Sequence, residues 1–598
     1  MIKIHVNGQP LELRADTAVN LRFRNPMFHD EGTYSLPVKI DNTIVNRKIL
    51  GFPNRIGNAG IERPVYDCEI VANSFRLKGS LVIQTVDDSK ITAFYTDGNG
   101  EFSNLAKDKY LTDIDDDNID FDTSQDLYDD YTATINKNYP DTKYVCFPIR
   151  NLSAFDGTSH VGEFVTAGGY YNKWDITNQQ FVNNYRIPNF FLCYVIEKLF
   201  ETFGYNIKDN FIYNNSELRQ LVLISDYFKH GPYTTYYFSP IIPSSSKYYI
   251  NIAEVVPKYD IKSFIINLRK FLLCEFFINN YSKSVTIISL KELITQSDYI
   301  DITDLADEQY EIEFEDETDG YIIGQNTDTG DEILEEIPDI NALNRLDDVD
   351  SYEDLPDILG QPLLHNSIAL VRNRDKFYAY YYDSVLGHGW YELCQNFIKD
   401  ESGDKELDFA SDISRVTNFT FTWLTEFIYD IILPEIKIAA FDFPEHPLAD
   451  KGVSYNVSNF QLAHIRENAP RLAFWHGKLE IRQNYNGFEH LYYPFASGDI
   501  YYISKSLGFT KIPGKTIALT NSGEDSYTKL YSPEYLYWYF NIRKKVERPI
   551  RWQPIDIHNL DFSKKYRINN QNYFIAAIDI TINSSGDMEV GKTEMYTV

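Results

Sequence analysis

Short runs in which apolar and polar residues alternate, each stopped by a turn signal, recur along most of this chain and limit the folds open to it. Strand side chains point to opposite faces with period two, so such a run buries one face and wets the other. Ile2-Lys3-Ile4-His5-Val6 alternates and meets Asn7-Gly8, a hairpin-turn dipeptide. Ile70-Val71, Leu77 and Leu81-Val82-Ile83 follow, and the run from Ile91 to Tyr95 stops at Asp97-Gly98-Asn99-Gly100. Near the other end, Ile578, Ile580 and Ile582 alternate with Asp579, Thr581 and Asn583. Residues 1–112 therefore predict an N-terminal β domain of the barrel or sandwich kind.

Helical spacing interrupts this pattern in two places. Leu192, Val195, Ile196, Leu199 and Phe203 share one face, with Gly204 placed to end a helix. Asp260 stands as N-cap before Ile261, Phe264, Ile265, Leu268 and Leu272. Cys274 to Ile278 and Val285 to Ile288 then flank Asn279-Asn280 as a hairpin, so residues 151–313 read as an α+β domain. Acidic stretches at 113–150, around Asp113 to Asp122, and at 314–357 read as linkers or loops. Residues 358–400 form a small β module, with Ile368–Arg372 turning at Asn373-Arg374-Asp375 into Lys376–Tyr382 and closing on Trp390. Residues 401–523 are β-rich, and 524–598 give a helix over about Glu524 to Arg543 followed by a C-terminal β element. The 598 residues allow about three to five domains. The fold class is multidomain and mainly β, with α+β insertions.

Charge and cysteine content exclude several function classes. With 56 basic and 87 acidic residues the net charge is −31, which repels nucleic acid and anionic membrane. The five cysteines lie far apart with no CxxC, which supports neither a disulfide framework nor a zinc knuckle and points to a reducing cytoplasm. Cys193 and Cys274 sit in apolar runs as small core residues. No signal peptide is read at the N-terminus, and no apolar stretch approaches the roughly 18 residues of a membrane span.

Motif matches fail on context. Gly586 to Thr593 fits GxxxxGK[ST], but a P-loop needs a following helix whose amides hold phosphate. Only Glu594 to Val598 remain, and Met595, Tyr596 and Val598 look like a closing strand. A calcium loop starting at Asp113 would place Asn118 and Ser124 where Gly and Glu are required. No two histidines lie within five residues of each other, and there is no GxSxG elbow. No catalytic, cofactor or metal residue is assigned. Tyr380, Tyr381, Tyr382, Trp390, Tyr492 and Tyr493 are candidate contact aromatics, able to stack on sugar rings or to meet a partner, against strand packing as the ordinary role of such residues.

Four segments carry a resemblance: Glu31–Ile40 with Asn46–Arg55, Leu192–Tyr205, Tyr259–Leu290, and Pro554–Asn570 followed by Tyr573-Phe574-Ile575. Together they resemble the hub or baseplate proteins of tailed bacteriophages, especially crAss-like phages and related prophages of Bacteroidetes. The resemblance implies tail-tube-like β-barrel or sandwich domains and a homo-oligomeric ring of three, six or twelve copies. Such a ring joins tail tube or adaptor to spikes or fibres and lines the DNA passage of a virion made in the host cytoplasm. It further implies no specific nucleic-acid binding, no cofactor and no enzymatic step. The alternative is a glycan-binding receptor, adhesin or fibre attachment protein, and a third class is a glycan hydrolase.

Overall fold

A computed structural model describes residues 2–29, 32–55, 65–73, 75–151, 170–175, 178–181, 187–225, 248–313, 320–326, 344–356, 367–371, 376–383, 387–392, 400–402, 407–424, 428–436, 438, 441–442, 464–465, 467–481, 491–504, 508–519 and 524–598. The chain is mainly β, and its described buried apolar side chains gather chiefly in two large clusters.

One cluster is wrapped by a fourteen-stranded sheet that draws on both ends of the chain. Ile2–Val6 turns through Asn7 (φ 49°) and Gly8 (φ 76°) into Gln9–Pro10, as the Asn-Gly pair predicts. Val19–Arg24 pairs with Gln571–Ile582, setting Val19 against Ile582, Leu21 against Ile580 and Phe23 against Ile578. The alternation read separately at the two ends is thus one buried face. Inward residues of strands far apart in the path, such as Ile4, Ile70, Ile91, Ile580 and Met595, meet in this core, so the sheet curls on itself. At one end the Ile2 amide donates to the Ser584 carbonyl (3.4 Å), and Asn73 Nδ2 donates to the Gly586 carbonyl (3.0 Å). Gly79 is required where two strands close in. A Cβ there would lie 2.2 Å from the Thr96 carbonyl oxygen and 2.8 Å from the Tyr95 ring.

The other cluster is an α+β unit. Leu192–Thr202 and Ile261–Leu272 are helices, the second capped by the Asp260 carboxylate accepting from the Ser263 amide at 2.7 Å. Gly204 takes φ 78° past the end of the first. Cys274–Asn279 and Ser284–Ser289 form the hairpin, and Asn206–Asn210 adds in parallel. Cys193 and Cys274 are buried in this core, whereas Cys394 lies outside the described residues.

Strand Gln571–Ile582 serves both cores. Phe574 packs in the α+β core and Ile575 in the sheet core, and a bulge between Ile575 and Ala577 brings Ile578 to the same face as Ile575. Residues 1–112 and 524–598 are therefore not independent units, because strand pairing is non-local and leaves no mark in local periodicity.

The acidic stretch 113–150 is not a linker. Ile114, Leu127, Tyr131 and Tyr144–Phe147 are buried. Helix Ser124–Thr134 begins on a capping box in which Thr123 and Asp126 exchange backbone bonds. Asp116 accepts from the Tyr194 hydroxyl at 2.5 Å and stands 3.6 Å from Lys198, so partners rather than solvent meet its charge. Within 314–357, Tyr321–Gln325 is likewise a central strand between Asp400–Ser402 and Leu407–Ser411, while 314–319 and 327–343 lie outside the described residues. The single helix expected over 524–543 is instead three short pieces, Tyr527–Tyr531, Pro533–Tyr537 and a π turn at Trp538–Ile542. Pro533, which has no amide hydrogen, restarts the helix after Ser532. The 358–400 module contains Ser367–Val371, Lys376–Asp383 and Gly387–Glu392 in one four-stranded sheet with Asn344–Arg345, and its turn at 373–375 lies outside the described residues.

Candidate assembly interface

Whether a sheet can recruit another chain is decided at its edges, where backbone donors and acceptors stand unpaired. The fourteen-stranded path ends at Gln9–Pro10 on one side and Glu311–Glu313 on the other. The first edge is two residues long and ends in proline, which cannot donate to a ladder. The second pairs on one side with Lys545–Glu547, and all three of its residues are exposed. Ile312 and Tyr310 leave apolar surface in solvent there, with Arg548 set 5.4 Å from the Tyr310 ring centre. The Lys545 ammonium, 2.7 Å from Glu313, holds that carboxyl below the ordinary glutamate range. Off the main path, Tyr299–Asp301 pairs in parallel with Lys565–Arg567 and also exposes Tyr299 and Ile300.

The candidate aromatics fall elsewhere. Tyr380 pairs across the sheet with Trp390, their rings 5.6 Å apart at 71°, and Tyr380 is only 4% exposed. Trp390 is half-buried and its indole donates to the Pro356 carbonyl at 2.8 Å. Tyr381 and Tyr382 belong to the same strand, Lys376–Asp383. Tyr492 is half-buried, with the Lys478 ammonium 4.0 Å from its ring centre and its carbonyl accepting from Trp174 and Gln179. Tyr493 is buried. The sheet thus joins Tyr380 to Trp390, while Tyr492 belongs to a separate sheet.

Sequence reasoning missed a polar junction that fixes the sheet unit to the α+β unit. Asn99 Nδ2 donates to the Phe276 carbonyl at 2.9 Å, and Asn99 Oδ1 accepts from the Ile278 amide at 3.3 Å. Beside them, buried Glu101 accepts from Asn280 Nδ2 and from Lys283 Nζ (3.3 Å), while Asn280 Oδ1 accepts from the Tyr205 hydroxyl (2.5 Å). Burial raises the Glu101 carboxyl against the pull of Lys283. It pushes the neighbouring Asp97 up to about 6, with the Glu101 charge adding to the rise. The sequence signal was Asn279-Asn280 itself, read only as a turn. The pairing of Asn280 with a carboxylate 179 residues away is invisible locally.

The buried Thr593 within the P-loop-like string accepts from Trp552 Nε1 at 2.9 Å, and Gly591–Thr597 is a strand paired on both sides. Among the described residues no group of three His, Cys, Asp or Glu is placed to hold a metal, and no helix is long and apolar enough to cross a membrane. No protein-family model matches the chain, and no curated protein compared with it is a match.

Proposed function

We propose that this chain is a structural subunit of a bacteriophage tail, a hub or baseplate component. Copies close into a ring that joins the tube or adaptor to spikes or fibres and lines the DNA passage. One observation carries the reading: a curled sheet built from both chain ends offers an exposed edge at Glu311–Glu313, flanked by apolar Tyr310 and Ile312. An exposed edge leaves backbone groups that a neighbouring chain can complete, and obligate interfaces draw on apolar and aromatic residues. The net charge of −31 suits a lumen through which DNA slides without adhering. The sheet then plays the part of a tail-tube-like barrel, in keeping with the resemblance of the four sequence segments.

The glycan-binding alternative drew on Tyr380, Tyr382, Trp390 and Tyr492. Tyr380 and Trp390 pack on each other, and Tyr492 supports Trp174 and Lys478, so those contacts favour the structural reading. Negative-stain imaging of concentrated protein tests the proposal. Rings with a central opening are expected for the native chain and separated subunits for Ile312→Lys, which charges the edge. Dispersed single particles of the native chain at high concentration would contradict it.

A further inference from the structure

We propose that Asp97, Glu101, Asn280 and Lys283 form a proton-operated clasp between the two units, closed while one of the two carboxyls holds a proton and loosened once both are ionised. What the clasp holds is the tip of the hairpin made by Cys274–Asn279 and Ser284–Ser289. The inference goes beyond the ring reading and does not depend on it.

The cluster sits where the chain passes from one core to the other. Tyr95 is buried in the sheet core and Phe102 in the α+β core, so Asp97 to Glu101 lie on the crossing. Gly98 (φ 60°) brings this loop against the hairpin backbone, where a Cβ would stand 3.2 Å from the Ile278 carbonyl oxygen. From the hairpin, the Ile278 amide donates to Asn99 Oδ1 (3.3 Å), and Asn280 Nδ2 and Lys283 Nζ donate to Glu101. Glu101 and Asn280 are 5% and 3% exposed, so their bond lies out of solvent. Beyond it the tip reaches solvent at Tyr281, whose ring meets His558 and the Lys78 ammonium.

The charges in this cluster do not balance. Asp97 accepts from the Gly98 amide at 2.6 Å and faces Glu101, Tyr95 and Asn280. Glu101 faces Asp67 and Ser80 on the neighbouring strands. Cys68 and Tyr205 also face Glu101, and burial keeps both neutral. Among the described residues Lys283 is the one cation paired with either carboxyl, so ionising both leaves negative charge unmatched at an enclosed seam. Burial and the Glu101 charge raise Asp97 to about 6. The closed clasp is therefore favoured in acid, and that preference is lost as pH rises through about 6.

Amide hydrogen exchange of the full chain tests this, read by mass spectrometry on peptides covering residues 278–284 at pH 5 and pH 8. Each rate is divided by that of the unstructured peptide at the same pH. The Ile278 amide reports directly, because its acceptor is Asn99 on the other side of the clasp. Protection of the tip is expected to fall by about tenfold from pH 5 to pH 8, and at pH 8 the tip should exchange ahead of helix Leu192–Thr202. Asp97→Asn keeps an acceptor for the Gly98 amide and cannot ionise, so it should hold the tip at pH 8 as firmly as the native chain does at pH 5. Equal protection of the native tip at the two pH values would overturn the clasp. So would a pH dependence retained by Asp97→Asn, which would assign the titration to His558 or another group. Tip and helix exchanging alike at pH 8 would also overturn it, because the tip would then be freed only by unfolding of the whole chain.

Discussion

At the scale of single residues, the most consequential contacts are polar groups enclosed at the seams. Asp97 has an ordinary pKa near 3.8 and a folded value pushed up to about 6 by burial, so the folded state holds its proton more tightly than the unfolded chain. The stability from this group is therefore full below about pH 4 and is lost as pH rises through 6, and the raised Glu101 acts in the same direction. Asp97→Asn keeps the shape and removes the titration. It should be more stable than the native chain by about 1–3 kcal/mol at pH 8 and show a flatter pH dependence between 4 and 7, read by denaturant midpoints across that range. A steeper dependence in the variant would refute the assignment. Thr593→Val tests a second seam. It removes the acceptor of the buried Trp552 indole, and an unmet buried donor costs about 1–3 kcal/mol. Stability unchanged on chemical denaturation would mean that Trp552 finds another partner.

At the scale of elements, legibility followed locality. The helix Ile261–Leu272 and its Asp260 cap were readable because cap, apolar stripe and polar face all lie within one short window. The hairpin at Asn7-Gly8 was readable for the same reason. The stretch 113–150 was misread because its charge masked a shorter signal, Thr123 and Asp126 as a capping box with Leu127, Tyr131 and Thr134 on one buried face. The helix expected over 524–543 breaks at Pro533, which is visible in the sequence and lacks the amide hydrogen that a continuous helix needs. Gly79 belongs to the same scale. Its neighbour is backbone rather than a movable side chain, so Gly79→Ala must separate the strands Phe75–Val86 and Lys90–Asp97. A loss of more than about 2 kcal/mol is expected, comparable with overpacking a close-packed core. Thermal unfolding checks it, and a neutral effect would mean the two strands can part cheaply.

At the scale of the whole molecule, the joining of the two chain ends into one sheet was illegible, although both strands were visible separately. Nothing in Val19–Arg24 names Gln571–Ile582 as its partner, since equal alternation suits many pairings and only the closed core selects one. The candidate edge was hidden for the related reason that Glu311–Glu313 is too short to stand out until its neighbour Lys545–Ile550 is known. If further copies complete this sheet, native mass spectrometry of the purified chain resolves a closed assembly. A single closed species of three, six or twelve times 69.6 kDa is the expected result. A monodisperse 69.6 kDa monomer persisting at high concentration would contradict it.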